Sequence, residues 1–195
     1  KVLTREDLER RGVFERYKDV DGDGIPYRTL AGTKHPLAPY FTRGTGHNEA
    51  GLYSEKPDDY RANMDRLNKK FETARELVPA PIIDQPPENK IGLLCYGSTK
   101  EALFEARPLL AQQGYSASCL RILALPLSIE VEEYISNHER IYVVEQNRDA
   151  QMLQILRARF PHLSHKLLSI LHYDGLPLDA ESICEGVISQ ERSMP

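Results

Sequence analysis

The sequence predicts a three-layer α/β sandwich with a mostly parallel sheet, preceded by an irregular, loop-rich segment and a long helix. Three observations carry this. Ile141-Tyr142-Val143-Val144 is a short apolar run with three β-branched residues, the pattern of a strand buried on both faces, as parallel sheets require. From Lys90 onward, strand-like and helix-like stretches alternate, which repeated right-handed βαβ units produce. Between Asp19 and Gly51, by contrast, periodicity nearly vanishes in a run dense in Gly, Pro, Thr and Asp.

In chain order, Thr4 starts a short helix. Asp7 stands three places on, a weak capping box, and Leu3 and Leu8 are spaced as a hydrophobic staple. The helix is expected to stop near Gly12. The irregular stretch that follows is too long for an ordinary connection. Its neighbouring aromatics, Tyr27, Tyr40, Phe41 and Tyr53, favour an ordered excursion lying against another surface. Pro57 and Asp58 then open a helix in which Tyr60, Met64, Leu67, Phe71, Ala74 and Val78 recur at spacings of four and three. Such a stripe is expected in the core. Pro79 and Pro81 end it, and Gln85-Pro86-Pro87-Glu88-Asn89 reads as a hinge. The expected organisation is therefore a first region over 1–84 and an α/β domain over 90–195.

Within that domain the predicted strands are 91–96, 117–124, 141–144 and 166–171. The predicted helices are 100–113, 129–137, 150–159 and 179–189. Gly97-Ser98-Thr99 and Ser128 are placed as helix caps, and Gly114 as a stop. The polar run Glu145-Gln146-Asn147-Arg148-Asp149 falls at the carboxyl tip of the third strand, the edge where open α/β sheets present their contacts.

A chain of 195 residues, 41% hydrophobic and 28% charged, has the composition of a globular protein with one good core and a second lobe. Its net charge of −4 argues against a nucleic-acid or anionic-membrane surface. No apolar run approaches the roughly 20 residues of a membrane helix. The chain starts at Lys1 with neither an initiator Met nor a signal-peptide pattern, as expected of a piece of something longer. Cys95, Cys119 and Cys184 are odd in number and far apart. A disulfide framework is disfavoured, a reducing, cytoplasmic setting fits, and this chain alone cannot ligate an iron–sulfur cluster in the four-thiolate manner.

Few motifs carry chemistry. Asp19-x-Asp21-x-Asp23-Gly24 matches the first half of a calcium loop, but the twelfth position is Leu30 rather than Glu, and Pro26 interrupts the second half. The expectation is an Asp/Gly turn cluster, with a cation site at Asp19, Asp21 and Asp23 as the alternative. Gly92 to Gly97 suggests a phosphate loop only superficially, since strand residues intervene and the Lys is missing. The histidines lack metal spacing, and His138, His162 and His165 are expected at the surface. In Arg43-Gly44-Thr45-Gly46-His47-Asn48, two glycines permit close backbone approach, and Arg and His suit a carboxylate or polar partner.

Several segments together resemble one family. Asp19 through Leu30, Tyr40-Phe41-Thr42-Arg43-Gly44-Thr45-Gly46-His47, Leu77-Val78-Pro79-Ala80-Pro81, Val143 through Gln151, and His172-Tyr173-Asp174-Gly175 look like the α subunit of 2-oxoacid:acceptor (ferredoxin) oxidoreductases, nearest to 2-oxoglutarate synthase. Ala31 stands where the pattern has Pro before Gly32. The resemblance covers nearly the whole chain and points to a carboxyl-terminal fragment: the end of the pyrimidine-binding region, then a transketolase C-terminal-like domain. It implies a thiamine-diphosphate enzyme that converts a 2-oxoacid to acyl-CoA and CO2, with electrons leaving through an iron–sulfur cluster. Thiamine diphosphate, Mg and the 4Fe-4S cluster would belong to the full complex and not to this chain, because the family's Tyr-Pro-Ile-Thr-Pro segment is absent. The implied partners are the β subunit, ferredoxin and coenzyme A, in an oligomer. Arg43, Thr45, His47 and Asn48 would rim the substrate site, Glu145, Gln146 and Asn147 would contact a partner or domain, and no residue here would be catalytic. The competing expectation is a stand-alone α/β ligand-binding or calcium-dependent interaction module.

Overall fold

The computed structural model describes residues 1–40, 44–84 and 90–194. The chain falls into two units, Lys1–Leu77 and Val78–Pro195.

The first unit begins with α1 (Arg5–Arg11). Its capping box is complete: Thr4 accepts from the Asp7 amide, and the Asp7 carboxylate accepts from the Thr4 amide. Gly12 supplies the left-handed cap at the other end. Leu3 and Leu8 are both buried and, with Ala38, Phe14 and Tyr27, make a small core. The described residues of the irregular stretch are held by hydrogen bonds rather than by regular elements. The Leu3 amide donates to the Arg28 carbonyl at 2.8 Å, and the buried Thr29 hydroxyl donates to the Ala38 carbonyl at 2.7 Å. The expected burial of aromatics is met only in part: Tyr27 and Tyr40 are half-buried, Tyr53 is exposed, and Phe41 lies outside the described residues.

The long helix α2 (Pro57–Leu77) forms where expected but faces the wrong way. None of its residues is buried, and Tyr60 and Phe71 of the apolar stripe are 63% and 56% exposed. The helix is held through a polar face about a third of a turn away. The Arg66 guanidinium donates to the Gly24 carbonyl at 3.2 Å, and the Thr73 hydroxyl donates to the Asp23 carbonyl at 2.7 Å. Turn carbonyls need donors, and this helix face provides them.

The second unit contains β1 (Ile82–Asp84), β2 (Ile91–Tyr96), α3 (Lys100–Gln112), β3 (Ala117–Ile122), α4 (Ile129–Ser136), β4 (Arg140–Glu145), α5 (Gln151–Arg159), β5 (Leu167–Leu171) and α6 (Ala180–Ser193). The sheet order is β1-β3-β2-β4-β5. Four strands run parallel, and β1 pairs antiparallel on the edge, with Ile83 opposite Leu120. A mostly parallel sheet with an antiparallel edge is a common mixture. The boundary expected at residue 84 is thereby corrected. Residues 82–84 belong to the sheet, and the flanking prolines that obscured them are tolerated on an edge strand. The expected hinge at 85–89 lies outside the described residues.

Helices cover both faces. Leu103, Ala106 and Leu110 of α3, with Ile183, Cys184 and Val187 of α6, pack against Leu93, Cys95, Tyr142 and Val144. Val131 and Ile135 of α4, with Met152, Leu153 and Leu156 of α5, pack against Leu94, Leu120, Ile141 and Val143. Side chains alternate across a strand, so Ile141 and Val143 serve one layer while Tyr142 and Val144 serve the other. All four are fully buried, which explains why β4 reads as an unbroken apolar run.

His138 is a second correction: His162 and His165 are exposed, but His138 is buried. Its Nδ1 lies 2.6 Å from the Tyr134 carbonyl and its Nε2 2.6 Å from Ser118 Oγ. A carbonyl only accepts, so Nδ1 carries the proton and Nε2 accepts from Ser118. The Ser118 oxygen lies 2.7 Å from the Tyr134 hydroxyl, which also reaches the Leu93 carbonyl at 3.3 Å. Burial pushes the His138 pKa down, the Tyr134 carbonyl opposes that, and the Lys166 charge adds to it. The folded chain therefore takes up this proton less readily than the unfolded chain. The resulting stability is whole above about pH 6.5 and is lost as pH falls from there toward the folded pKa, at up to about 1.4 kcal/mol per pH unit. In His138→Gln the acid side of a urea-midpoint profile between pH 7 and 5 should be flatter than wild type, and parallel profiles would refute the assignment.

Candidate functional site

Residues 44–54 close on themselves as a narrow turn. The Ser54 amide donates to the Gly46 carbonyl at 3.1 Å and the Asn48 amide to the Leu52 carbonyl at 3.0 Å. His47 and Tyr53 form an isolated antiparallel bridge. Gly46 is required by close approach, since a Cβ there would sit 2.5 Å from the Ser54 carbonyl oxygen. The Tyr17 amide donates to the Glu49 carbonyl at 2.9 Å, bringing Tyr17 beneath the turn.

This packing decides what each side chain can do. Asn48 Oδ1 accepts from the Ala50 and Leu52 amides, both at 3.1 Å, so its oxygen shapes the turn. His47 Nδ1 lies 3.0 Å from the Thr45 carbonyl and must carry the proton there. In the neutral ring Nε2 is then an acceptor. That atom is buried and has no hydrogen-bond partner among the described residues. The His47 ring lies against Tyr17, with centroids 4.1 Å apart.

His47 and Asn48 open on a cleft of about 270 Å³ whose other walls include Tyr17, Asp59, Asn63, Asp65, Arg66 and Lys69. Arg66 donates to Asn63 at 2.7 Å, and its guanidinium stands 5.9 Å from the Tyr17 ring centre. Burial and then the charge of Arg16 draw the Arg66 pKa down, partly offset by Asp19. The guanidinium remains ionised at ordinary pH. A cation and an aromatic wall can bind a polar, carboxylate-bearing molecule, whereas the Nε2 of a neutral His47 would meet a carboxylate as a second acceptor. These residues form no nucleophile–base pair. Thr45 lines a separate, shallow groove with Tyr53, Tyr60 and Met64. Arg43 lies outside the described residues. Tyr17, Asn63 and Arg66 were not anticipated, although Asn63, Arg66, Lys70 and Thr73 form a second stripe at helical spacing that could have revealed the face α2 uses.

At the carboxyl tip of β4, Glu145 is fully buried. Its oxygens accept from the Met152 amide at 2.8 Å, the Leu153 amide at 3.0 Å and Asn147 Nδ2 at 2.8 Å. Ala150, at the N-cap of α5, has φ of +52° and offers no capping side chain. Glu145 therefore serves in its place, a carboxylate meeting the positive end of a helix. Asn147 also reaches the Tyr96 hydroxyl at 3.3 Å, and Gln146 reaches Ser98 and Thr99 at 3.3 and 3.4 Å. The expected outward contact is thus corrected for Glu145, which has no exposed surface to offer; this trio braces its own sheet.

The Asp19–Gly24 run is a hydrogen-bonded turn. Asp19 accepts from the Asp23 and Gly24 amides at 3.0 and 2.9 Å, while Asp21 and Asp23 share the Lys1 ammonium, with Nζ at 2.7 and 2.5 Å. Among the described residues no group of three or more His, Cys, Asp or Glu is placed to hold a metal ion, and no helix is long and apolar enough to cross a membrane.

No family model matches the chain. A curated protein of Aeropyrum pernix, 2-oxoacid:ferredoxin oxidoreductase 2, subunit alpha, is 31% identical over 196 residues. The chain is a relative of 2-oxoacid:ferredoxin oxidoreductase α subunits. The alignment takes in 90% of this chain and 29% of that subunit, so the chain spans less than a third of its curated relative. A solved 2-oxoglutarate:ferredoxin oxidoreductase from Magnetococcus marinus, with 2-oxoglutarate, coenzyme A and succinyl-CoA bound, matches 92% of this chain and 31% of its own, with TM-score 0.77. At 21% identity that likeness is one of fold.

Proposed function

We propose that the chain is a carboxyl-terminal portion of the α subunit of a thiamine-diphosphate-dependent 2-oxoacid:ferredoxin oxidoreductase that forms acyl-CoA and CO2. In this reading it is scaffold and substrate-site rim, and 2-oxoglutarate is the 2-oxoacid. The observation that carries the reading is the α-subunit likeness across nine-tenths of the chain. The bound 2-oxoglutarate of the Magnetococcus enzyme supports the choice of substrate.

The chain's own residues do not fit the implied cofactors. Cys95 and Cys119 are buried thiols that burial pushes up to about 12, and Cys184 is buried in α6. An iron–sulfur cluster takes thiolates, and these positions favour the neutral thiol. The carboxylates nearest a metal-loop pattern are occupied as described above. Thiamine diphosphate, Mg and the cluster are accordingly assigned to the rest of the complex, with the β subunit, ferredoxin and coenzyme A as partners and the cytoplasm as the setting.

In this reading Arg43 and His47 receive the distal carboxylate at the rim, His47 through its ring when both nitrogens are protonated. The Thr45 carbonyl orients that ring, and Asn48 holds the turn. In the whole enzyme, His47→Ala and Arg43→Ala should each raise the KM for 2-oxoglutarate about tenfold or more, the value of one charge-assisted hydrogen bond. The KM for pyruvate, which lacks the distal carboxylate, should move less. Equal changes for both substrates would remove these residues from the substrate rim.

A further inference from the structure

The sheet ends at β5, and the chemistry of that edge depends on which main-chain groups turn outward. In a parallel ladder, successive residues turn their main-chain groups to opposite sides. The His172 amide donates to the Glu145 carbonyl at 3.0 Å, so the even-numbered residues here serve β4. Leu167, Ser169 and Leu171 therefore turn their main-chain groups away from the sheet, and among the described residues no strand lies beyond them. The segment Leu167-Leu168-Ser169-Ile170-Leu171 has no charge and no Pro, and Leu168, Ser169 and Leu171 are only half-buried. On an open edge, a segment of this composition pairs with copies of itself. The opposite edge, β1, is protected differently: it is three residues long and carries Asp84.

Two side chains close the β5 edge. Arg157 of α5 donates from Nη2 to the Leu167 carbonyl at 2.8 Å, and Gln190 of α6 donates from Nε2 to the Ser169 carbonyl at 2.9 Å. These are two consecutive outward acceptors, the ones that the amides of a next strand would take. They are reached from opposite layers, since α5 and α6 pack on opposite faces of the sheet. Leu153 and Val187, one turn earlier on the respective helices, are buried, so each donor leaves its helix at the border of the packed face. Arg157 also brings a positive charge to the edge, itself a deterrent to strand pairing.

We propose that Arg157 and Gln190 guard the free edge of the sheet: they occupy the acceptors that a further strand would use, and keep Leu167–Leu171 from pairing with the same segment of a second copy. The same contacts exclude any extended peptide that would add by main-chain hydrogen bonds. This does not depend on which reaction the parent enzyme performs.

A synthetic peptide of residues 167–171 with a lysine at each end tests it, beside a copy N-methylated at every amide, which has no main-chain donors left. The wild-type chain should bind neither peptide measurably. The double variant Arg157→Ala with Gln190→Ala should bind the first peptide on the order of tenfold or more above wild type, and should still reject the second. Gln190→Ala alone frees one acceptor and should show a smaller gain. Circular dichroism reports the fold of each variant; should the double variant unfold, Gln190→Ala and the wild type decide. Binding of the first peptide by wild type as tightly as by the variants, no gain in any folded variant, or equal binding of the N-methylated peptide would overturn the proposal. None of these results bears on the KM test of His47, which stands or falls separately.

Discussion

Glu145→Ala should destabilise the α/β unit by about 3–5 kcal/mol. The substitution leaves the Met152 and Leu153 amides without their acceptor, and an unsatisfied buried donor costs about 1–3 kcal/mol. It also opens a small cavity at a fully buried position and removes the charge facing the α5 amino terminus. Glu145→Gln keeps the shape, but one of its two terminal groups is a donor that confronts an amide donor. Its expected loss is smaller, about 1–3 kcal/mol. The ordering wild type, Gln, Ala should appear in urea midpoints with little change of slope. A Glu145→Ala midpoint within 1 kcal/mol of wild type would mean that α5 finds its cap elsewhere. Against a typical domain stability of about 5–15 kcal/mol, the Ala variant should be close to unfolding at 37 °C.

Gly24→Ala should loosen the first unit by about 3–4 kcal/mol. Gly24 has φ of +77°, and a Cβ there would overlap the Lys70 backbone nitrogen and fall 2.8 Å from the Arg66 carbonyl oxygen. The left-handed backbone alone costs an alanine about 1–2 kcal/mol. The rest comes from pushing the turn off α2, which breaks the Arg66 and Thr73 hydrogen bonds to the turn carbonyls at about 1 kcal/mol each. Gly32 is the control: φ is +91° and nothing lies within 4 Å of its would-be Cβ. Gly32→Ala should show the backbone strain without the displacement. Hydrogen exchange of the α2 amides should rise on the order of a hundredfold in Gly24→Ala, and much less in Gly32→Ala. Equal exchange in the two variants would show that the turn does not anchor the helix.

Both effects sit where sequence reasoning was weakest. Glu145 looked like the first residue of a polar, outward loop, because a charged residue after an apolar run usually marks a strand leaving the core. Its burial depends on where the α5 amides point, and on Ala150 being unable to cap them. Gly24 looked like one glycine of an Asp/Gly turn. That it lies on another helix's backbone depends on residues more than forty positions away.

The sequence by itself determined the elements whose pattern reports their own surroundings. β4, with its unbroken apolar run, could only be a strand covered on both sides. The α1 cap, staple and stop all lie within the ten residues from Leu3 to Gly12, so local chemistry settled them. From β2 onward, the order of helices and strands in the second unit followed in the same way. Tertiary structure alone decided which faces meet. α2 has two stripes, one apolar and one of Asn, Arg, Lys and Thr, and hydrophobicity pointed to the first. The structure uses the second, because the turn at Asp23 and Gly24 presents carbonyls that only donors can satisfy. The same holds for His47, whose buried Nε2 has no partner among the described residues while the Thr45 carbonyl holds the other ring nitrogen. Periodicity records what a segment can bury; which neighbour it meets depends on long-range hydrogen bonds that leave no period in the chain.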